Sequence, residues 1–191
     1  MRLIIGISGA SGVVYGIRLL ETLRDHSDVE THLVMSATGR MNICLETDWK
    51  VNAVEDLADF VHRNNDVGAT IASGSFQCDG MIVAPCSMKT LSGIVNSYAD
   101  NLLCRAADVM LKEKRRLILV PRESPLHKGH CQLLLRATEL GIDIAPPMPA
   151  FYTRPASVDD IVNHTVGRLL DLVGIESGLV KRWGGVRSVA E

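Results

Sequence analysis

Residues 6–12 read GISGASG, a glycine-rich string that follows an apolar run and precedes a helical pattern. In that order, backbone amides and the start of the helix can cradle a phosphate. Two departures from the dinucleotide fingerprint narrow the ligand. Ser8 holds the place of the middle glycine, and the next strand ends at Met35 and Ser36 rather than at an acid for a ribose hydroxyl. A mononucleotide is favoured over a dinucleotide, with a tight ligand-free turn as the plain alternative. No GxxxxGK[ST] occurs, and none of Tyr15, Tyr98 and Tyr152 has Lys four residues on, so an ATP P-loop and a short-chain dehydrogenase are excluded. Arg122 and Glu123 lie between Pro121 and Pro125, a cation and a carboxylate held rigidly at the end of an apolar run. Cys86 precedes a helix start, where a thiol is either acidified into a nucleophile or simply small and buried; without a nearby His the second reading is favoured. Asn101, Arg105, Asp108 and Lys112 form one helical stripe, read on spacing alone as a solvated face with an Asp108–Lys112 pair. His127 and His130 lack a third metal ligand and read as a solvated loop.

The elements that position these residues follow from apolar periodicity. Apolar runs at 3–7, 29–35, 81–84, 117–120 and 142–145 predict five strands. Helical patterns occupy 13–23, 37–45, 51–62, a segment from Met88, 100–114, 130–140 and 157–173, with Ser87 and Ser157 as caps. Strands apolar on both faces, alternating with helices, predict a three-layer doubly wound α/β domain with a parallel sheet. One domain over 1–191 is expected, with a tail from about 176 that shows no clear period. Ligands of such a sheet bind outside the carboxyl ends of the strands, here 8–12, Ser36, 85–87, 121–123 and 146 onwards.

Twenty basic against 22 acidic residues and only eight aromatics argue against a nucleic-acid partner. No apolar run approaches a membrane span and the start is too short for a signal peptide, so a cytoplasmic protein is expected. Five cysteines without CxxC spacing read as reduced thiols.

Taken together, the strings resemble one family. They are GISGASG followed by Tyr15 and Gly16, Ser36, LETD (45–48), ASGSF (72–76), APCSMKTL (84–91), DNLLCRAADVMLKE (100–113), LVPRESPL (119–126), PPMPAFYTRP (146–155) and RWGG (182–185). In this order, over nearly the whole chain, they are similar to the flavin prenyltransferases, the UbiX and phenylacrylic acid decarboxylase family. The resemblance implies a flavodoxin-like (Rossmann-like) fold, a homododecamer and reduced FMN bound at the subunit interface. It implies transfer of a dimethylallyl group from dimethylallyl phosphate to flavin N5 and C6, making the cofactor of a separate UbiD-type decarboxylase. The older naming of the family implies the alternative, direct FMN-dependent decarboxylation of phenolic acids.

Carried over by position, the resemblance implies that Gly9, Ala10, Ser11, Ser36, Ser87, Met88, Lys89, Thr90 and Arg122 contact FMN. It implies that Tyr152 and Arg168 hold dimethylallyl phosphate, with Arg105 and Lys112 near its phosphate. Glu46 and Glu123 would serve as acid and base, in either order. No metal is required. Two departures stand out: Lys89 replaces the Gly of many relatives, as in the phenolic-acid branch, and 129–132 replaces a more typical IHLEN run. The chemistry suits the residue types, because Arg and Lys stabilise a departing phosphate, and flavin, Tyr152 and Trp183 offer π faces to an allyl cation. A carboxylate such as Glu123 is suited to remove the ring proton.

Overall fold

Residues that are apolar without interruption have no face to give to water, and they form the centre of the sheet. In a computed structural model, which describes residues 1–185, β1 (Arg2–Ile7), β4 (Gly80–Cys86) and β5 (Arg116–Pro121) are buried along almost their whole length. They are flanked by β2 (Glu30–Met35), β3 (Phe60–Arg63) and β6 (Asp143–Ile144) in the order β3-β2-β1-β4-β5-β6, with every pairing parallel. Helices α1 (Val13–Arg24), α2 (Ala37–Glu46) and the short α3 (Val51–Glu55) connect the strands on one side of β1. Helices α4 (Met88–Val95), α5 (Leu102–Lys112) and α6 (Lys128–Glu139) connect those on the other. The expected three-layer doubly wound α/β architecture is present.

The chain divides into two compact units, Met1–Pro147 and Met148–Glu191. The second holds α7 (Val158–Leu172), started by a reciprocal cap: Ser157 Oγ accepts from Asp160 N at 3.1 Å, and Asp160 Oδ2 accepts from Ser157 N at 2.9 Å. Of the expected tail, residues 186–191 lie outside the described residues.

Three expectations need correction. The helix expected over 51–62 ends at Glu55, and Phe60–Arg63 is a sixth strand. Its apolar residues match helical spacing by coincidence; the open edge of β2 supplies the ladder, with His32 opposite Phe60 and Val34 opposite His62. There His32, almost fully buried, stacks on Phe60 at 4.8 Å between ring centres, and its Nδ1 lies 2.9 Å from His62 Nε2. Its Nε2 meets Glu30 Oε1 at 2.8 Å, and Arg2 also bonds that carboxylate. Secondly, α6 begins at Lys128, because His127 caps it, accepting from Gly129 N at 3.0 Å; the His127 and His130 ring centres lie 3.6 Å apart with the planes tilted by 31°. The third is the Asp108–Lys112 pair, which does not form. Asp108 takes Arg105 at 2.7 Å, one turn back, and Lys112 takes its neighbour Glu113.

Among the described residues no helix is long and apolar enough to cross a membrane, and all five cysteines are free. Cys86 is fully buried, which pushes its thiol far up and leaves it packed in the core as an inert residue.

Candidate functional site

An open parallel sheet leaves a crevice where the strand order reverses, here between β1, which leads to β2, and β4, which leads to β5. Ser8 ties the two sides together. Fully buried, its Oγ donates to the Pro85 carbonyl at 3.0 Å and accepts from Ser87 N at 2.8 Å. The residue that breaks the dinucleotide fingerprint is therefore the clasp between the loops after β1 and β4. Gly9 follows, where a Cβ would come within 2.5 Å of Thr38 Cβ, so glycine lets this loop lie against the start of α2.

Ser36 and Ser87 cap α2 and α4: Ser36 Oγ accepts from Gly39 N at 3.0 Å, and Ser87 Oγ from Thr90 N at 3.2 Å. Both helix starts open on a cavity of about 760 Å³ lined by Gly9, Ser36, Thr38, Ser87, Lys89 and Thr90, with Asn96, Tyr98, Asp100 and Asn101 further along, away from these two helix starts. Its volume suits a small-molecule ligand, and its hydroxyls, helix starts and single lysine suit an anionic one. A second cavity of equal volume opens at the amino end of the sheet, but there four carboxylates, Asp28, Glu30, Asp59 and Asp79, outnumber the cations Arg2 and the Met1 amino group, which suits an anion less well.

The amides at the start of α1, read from sequence as the phosphate cradle, are partly engaged. Gly12 N and Val13 N donate to Glu46 Oε2 at 2.8 and 3.3 Å, so a carboxylate from the end of α2 sits at the positive end of the α1 dipole. The starts of α2 and α4 are the helix starts that open on the cavity. Of the residues expected to contact FMN, Gly9, Ser36, Ser87, Lys89 and Thr90 line the cavity. Ala10, Ser11, Met88 and Arg122 stand outside that lining. The Ala10 carbonyl accepts from Asn42, and Met88 packs on the core beneath α4. Arg122 and Glu123 are exposed just past β5; Arg122 N donates to the Cys86 carbonyl at 3.2 Å, prolonging the β4–β5 pairing, and Glu123 Oε1 accepts from Ser124 N at 3.0 Å.

Segment 72–76, the ASGSF string, gathers cations. Arg105 Nε donates to the Ala72 carbonyl at 3.2 Å, and Arg115 donates to the Gly74 and Phe76 carbonyls at 2.8 and 2.6 Å. The Lys112–Glu113 pair lies over Gly74, where an added Cβ would meet Glu113 Oε1 at 2.1 Å and Lys112 Nζ at 2.5 Å. The same pairing holds the Glu113 carboxyl below its ordinary range.

In the second unit Tyr152 is half exposed, with the Trp183 ring edge-on at 5.4 Å and His164 edge-on at 5.8 Å. Asp171 holds two arginines, Arg168 at 2.6 Å and Arg182 through two bonds of 2.6 and 2.8 Å, and they keep its carboxyl below its ordinary range, Arg182 most. Burial, then Arg168, pushes His164 down. Among the described residues no group of three or more His, Cys, Asp or Glu is placed to hold a metal.

Comparison with known proteins bears on both units. The flavoprotein family pattern matches residues 1–170. The chain is 56% identical over 186 residues to the flavin prenyltransferase UbiX of Escherichia coli K12, covering 96% of this chain and 98% of that one. It belongs to the flavin prenyltransferase family. Among solved structures, a dodecameric FMN-dependent UbiX-like decarboxylase from Escherichia coli O157:H7 superimposes with a TM-score of 0.96 at 54% identity, covering 97% of this chain and all of that one. AnUbiX, solved with FMN and dimethylallyl pyrophosphate, superimposes with a TM-score of 0.94 at 48% identity, covering 96% and 97%. Against this flavin prenyltransferase frame, sequence reading had missed Ser8 as the clasp, Thr38 in the lining, and His164, Asp171 and Arg182 around the expected substrate residues. Only Asp171 left a signal, its i,i+3 spacing from Arg168.

Proposed function

We propose that the protein transfers a dimethylallyl group from dimethylallyl phosphate to N5 and C6 of reduced FMN, and that the product serves a separate UbiD-type decarboxylase of aromatic acids. The observation that carries this reading is the cavity at the reversal of the strand order, whose helix starts, hydroxyls and Lys89 fit a flavin mononucleotide with its single phosphate. FMN is a substrate here. Gly9, Ser36, Ser87, Lys89 and Thr90 bind it, with Ala10, Ser11, Met88 and Arg122 completing its surroundings.

In the donor, the allylic C–O bond breaks and phosphate leaves with the electron pair. Arg105, Lys112 and Arg168 stabilise that charge, while Tyr152 binds the donor and, with Trp183, shields the allyl cation from water. One allyl carbon bonds N5, whose proton passes to the departed phosphate. The double bond that remains takes a proton from a carboxylic acid, and the tertiary cation so formed bonds C6, whose proton goes to a carboxylate, Glu46 and Glu123 sharing the acid and base roles in either order. The AnUbiX complex with FMN and a dimethylallyl pyrophosphate supports the choice of donor class. The dodecameric relative and the exposed Met41, Leu45, Leu135, Met148 and Phe151 support a homododecamer, for which we propose a cytoplasmic location.

The test is an anaerobic incubation of the purified protein with reduced FMN and dimethylallyl phosphate. Mass spectrometry should find a flavin heavier by one prenyl unit, and the extract should activate an apo-decarboxylase. Release of carbon dioxide from a phenolic acid with ordinary FMN, without modified flavin, would establish direct decarboxylation instead.

A further inference from the structure

Tyr152 is one of the residues assigned to the allyl phosphate, and a phenol can meet a phosphate only as a donor, because a phosphate dianion has no proton to give. What the Tyr152 proton does is therefore decided by its neighbours. The Tyr152 hydroxyl lies 3.4 Å from His164 Nε2, and the two rings meet edge to face at 85°. His164 is more than nine-tenths buried on α7, and its other ring nitrogen, Nδ1, is buried with no hydrogen-bond partner.

A neutral imidazole carries one N–H, and two arrangements are open to it. With the proton on Nδ1, a buried N–H is left without an acceptor, and Nε2 accepts the Tyr152 proton, withdrawing it from the substrate. With the proton on Nε2, only a lone pair is left bare at Nδ1, and His164 donates to the Tyr152 oxygen. Orphaned buried donors are rarer and costlier than bare acceptors, so the second arrangement holds. Burial and the nearby Arg168 keep the ring neutral, which maintains this choice, although Asp171 pulls the other way.

We infer that His164 is a positioning residue that donates from Nε2 to the Tyr152 oxygen, so that the Tyr152 hydroxyl proton is free to be given to the phosphate of the allyl substrate. The inference rests on the prenyl-transfer reading of Tyr152. Trp183, edge-on to the same ring at 5.4 Å, limits its swing from another side, so His164 sets both the direction of the hydroxyl and its polarity.

The experiment compares the FMN-loaded wild type with His164→Phe, which keeps a ring and loses the donor, and His164→Gln, which keeps one. Steady-state prenylation is measured against dimethylallyl phosphate concentration, with FMN affinity read separately by fluorescence quenching. His164→Phe should raise KM for the allyl phosphate about fivefold to tenfold, the scale of one hydrogen bond to an anionic ligand, while kcat and FMN affinity change less than about twofold. His164→Gln should return KM to within about twofold of wild type. In a Tyr152→Phe background, His164→Phe should add nothing. Solid-state NMR of ¹⁵N-histidine-labelled wild type, with His164→Gln to assign the signal, should find the proton on Nε2. A proton on Nδ1, an unchanged KM in His164→Phe, or an undiminished penalty in the Tyr152→Phe background each overturns the inference. A wild type that makes no prenylated flavin overturns the prenyl-transfer reading, and the inference with it.

Discussion

Replacing Ser8 by Ala removes a single oxygen from the point where the loops after β1 and β4 meet. That oxygen makes two bonds, to the Pro85 carbonyl at 3.0 Å and from Ser87 N at 2.8 Å, and no water reaches it. The Pro85 carbonyl keeps a partner in Ser8 N at 3.2 Å, so its loss is small, about 0.5–1 kcal/mol. Ser87 N–H, part-buried beside the cavity, is left without one inside the protein, and an unsatisfied donor costs about 1–3 kcal/mol, least where water from the cavity replaces the bond. The sum, roughly 1.5–4 kcal/mol, corresponds for a chain of this length to a fall in Tm of roughly 3–16 °C. Because Ser87 caps α4 at the cavity, its displacement should also weaken FMN binding, by about tenfold. Thermal and urea denaturation at one fixed protein concentration, with FMN titration by fluorescence, measure both effects; the fixed concentration matters because assembly contributes to apparent stability. A Ser8→Ala protein within about 0.5 kcal/mol of wild type and with unaltered FMN affinity would refute the clasp.

Gly16→Ala places a Cβ 2.4 Å from the Ala84 carbonyl and 2.7 Å from Ile7 Cγ1, so α1 must lift off the sheet; chemical denaturation should register a loss of about 1–3 kcal/mol. Glu30 is held down to about 2 from its ordinary 4.5, by Arg2 first and His32 second. A carboxylate depressed in this way stabilises the fold above pH 4.5 and loses that contribution as the pH falls towards 2. Glu30→Gln should accordingly flatten the acid limb of a stability-versus-pH curve in that window and lower stability at neutral pH; an unchanged acid limb would contradict it. Glu123→Gln keeps the shape of the side chain and cannot take a proton, so single-turnover prenylation should slow by about 10²–10⁴ with FMN affinity retained. If only Glu46→Gln slows it, the base is Glu46.

The sheet centre was legible because parallel strands buried on both faces must be written as unbroken apolar runs, as 3–7, 81–84 and 117–120 are. The helix starts at Ser87 and Ser157 were legible because a cap is a contact over three residues, and the string 6–12 marked the carboxyl end of β1 for the same local reason. From the family strings, the residue types of the site were legible as well, and five of those assigned to FMN do line one cavity. What reached beyond local range was not. β3 exists because β2 offers it an edge, whereas Val54, Leu57, Ala58 and Val61 along the chain carry a helical spacing. Ser8 bonds Pro85 and Ser87, Glu46 bonds Gly12, and Arg105 and Arg115 bond segment 72–76, all across more than thirty residues. Tyr152 and His164 meet only because a 3₁₀ turn at Phe151–Thr153 precedes α7 in a unit of its own. The types and periods of the residues dictated most of the elements, β3 excepted, since those depend on neighbours along the chain. Only tertiary structure decided which charges and hydroxyls share a partner, because that depends on closure of loops whose ends the sequence keeps far apart.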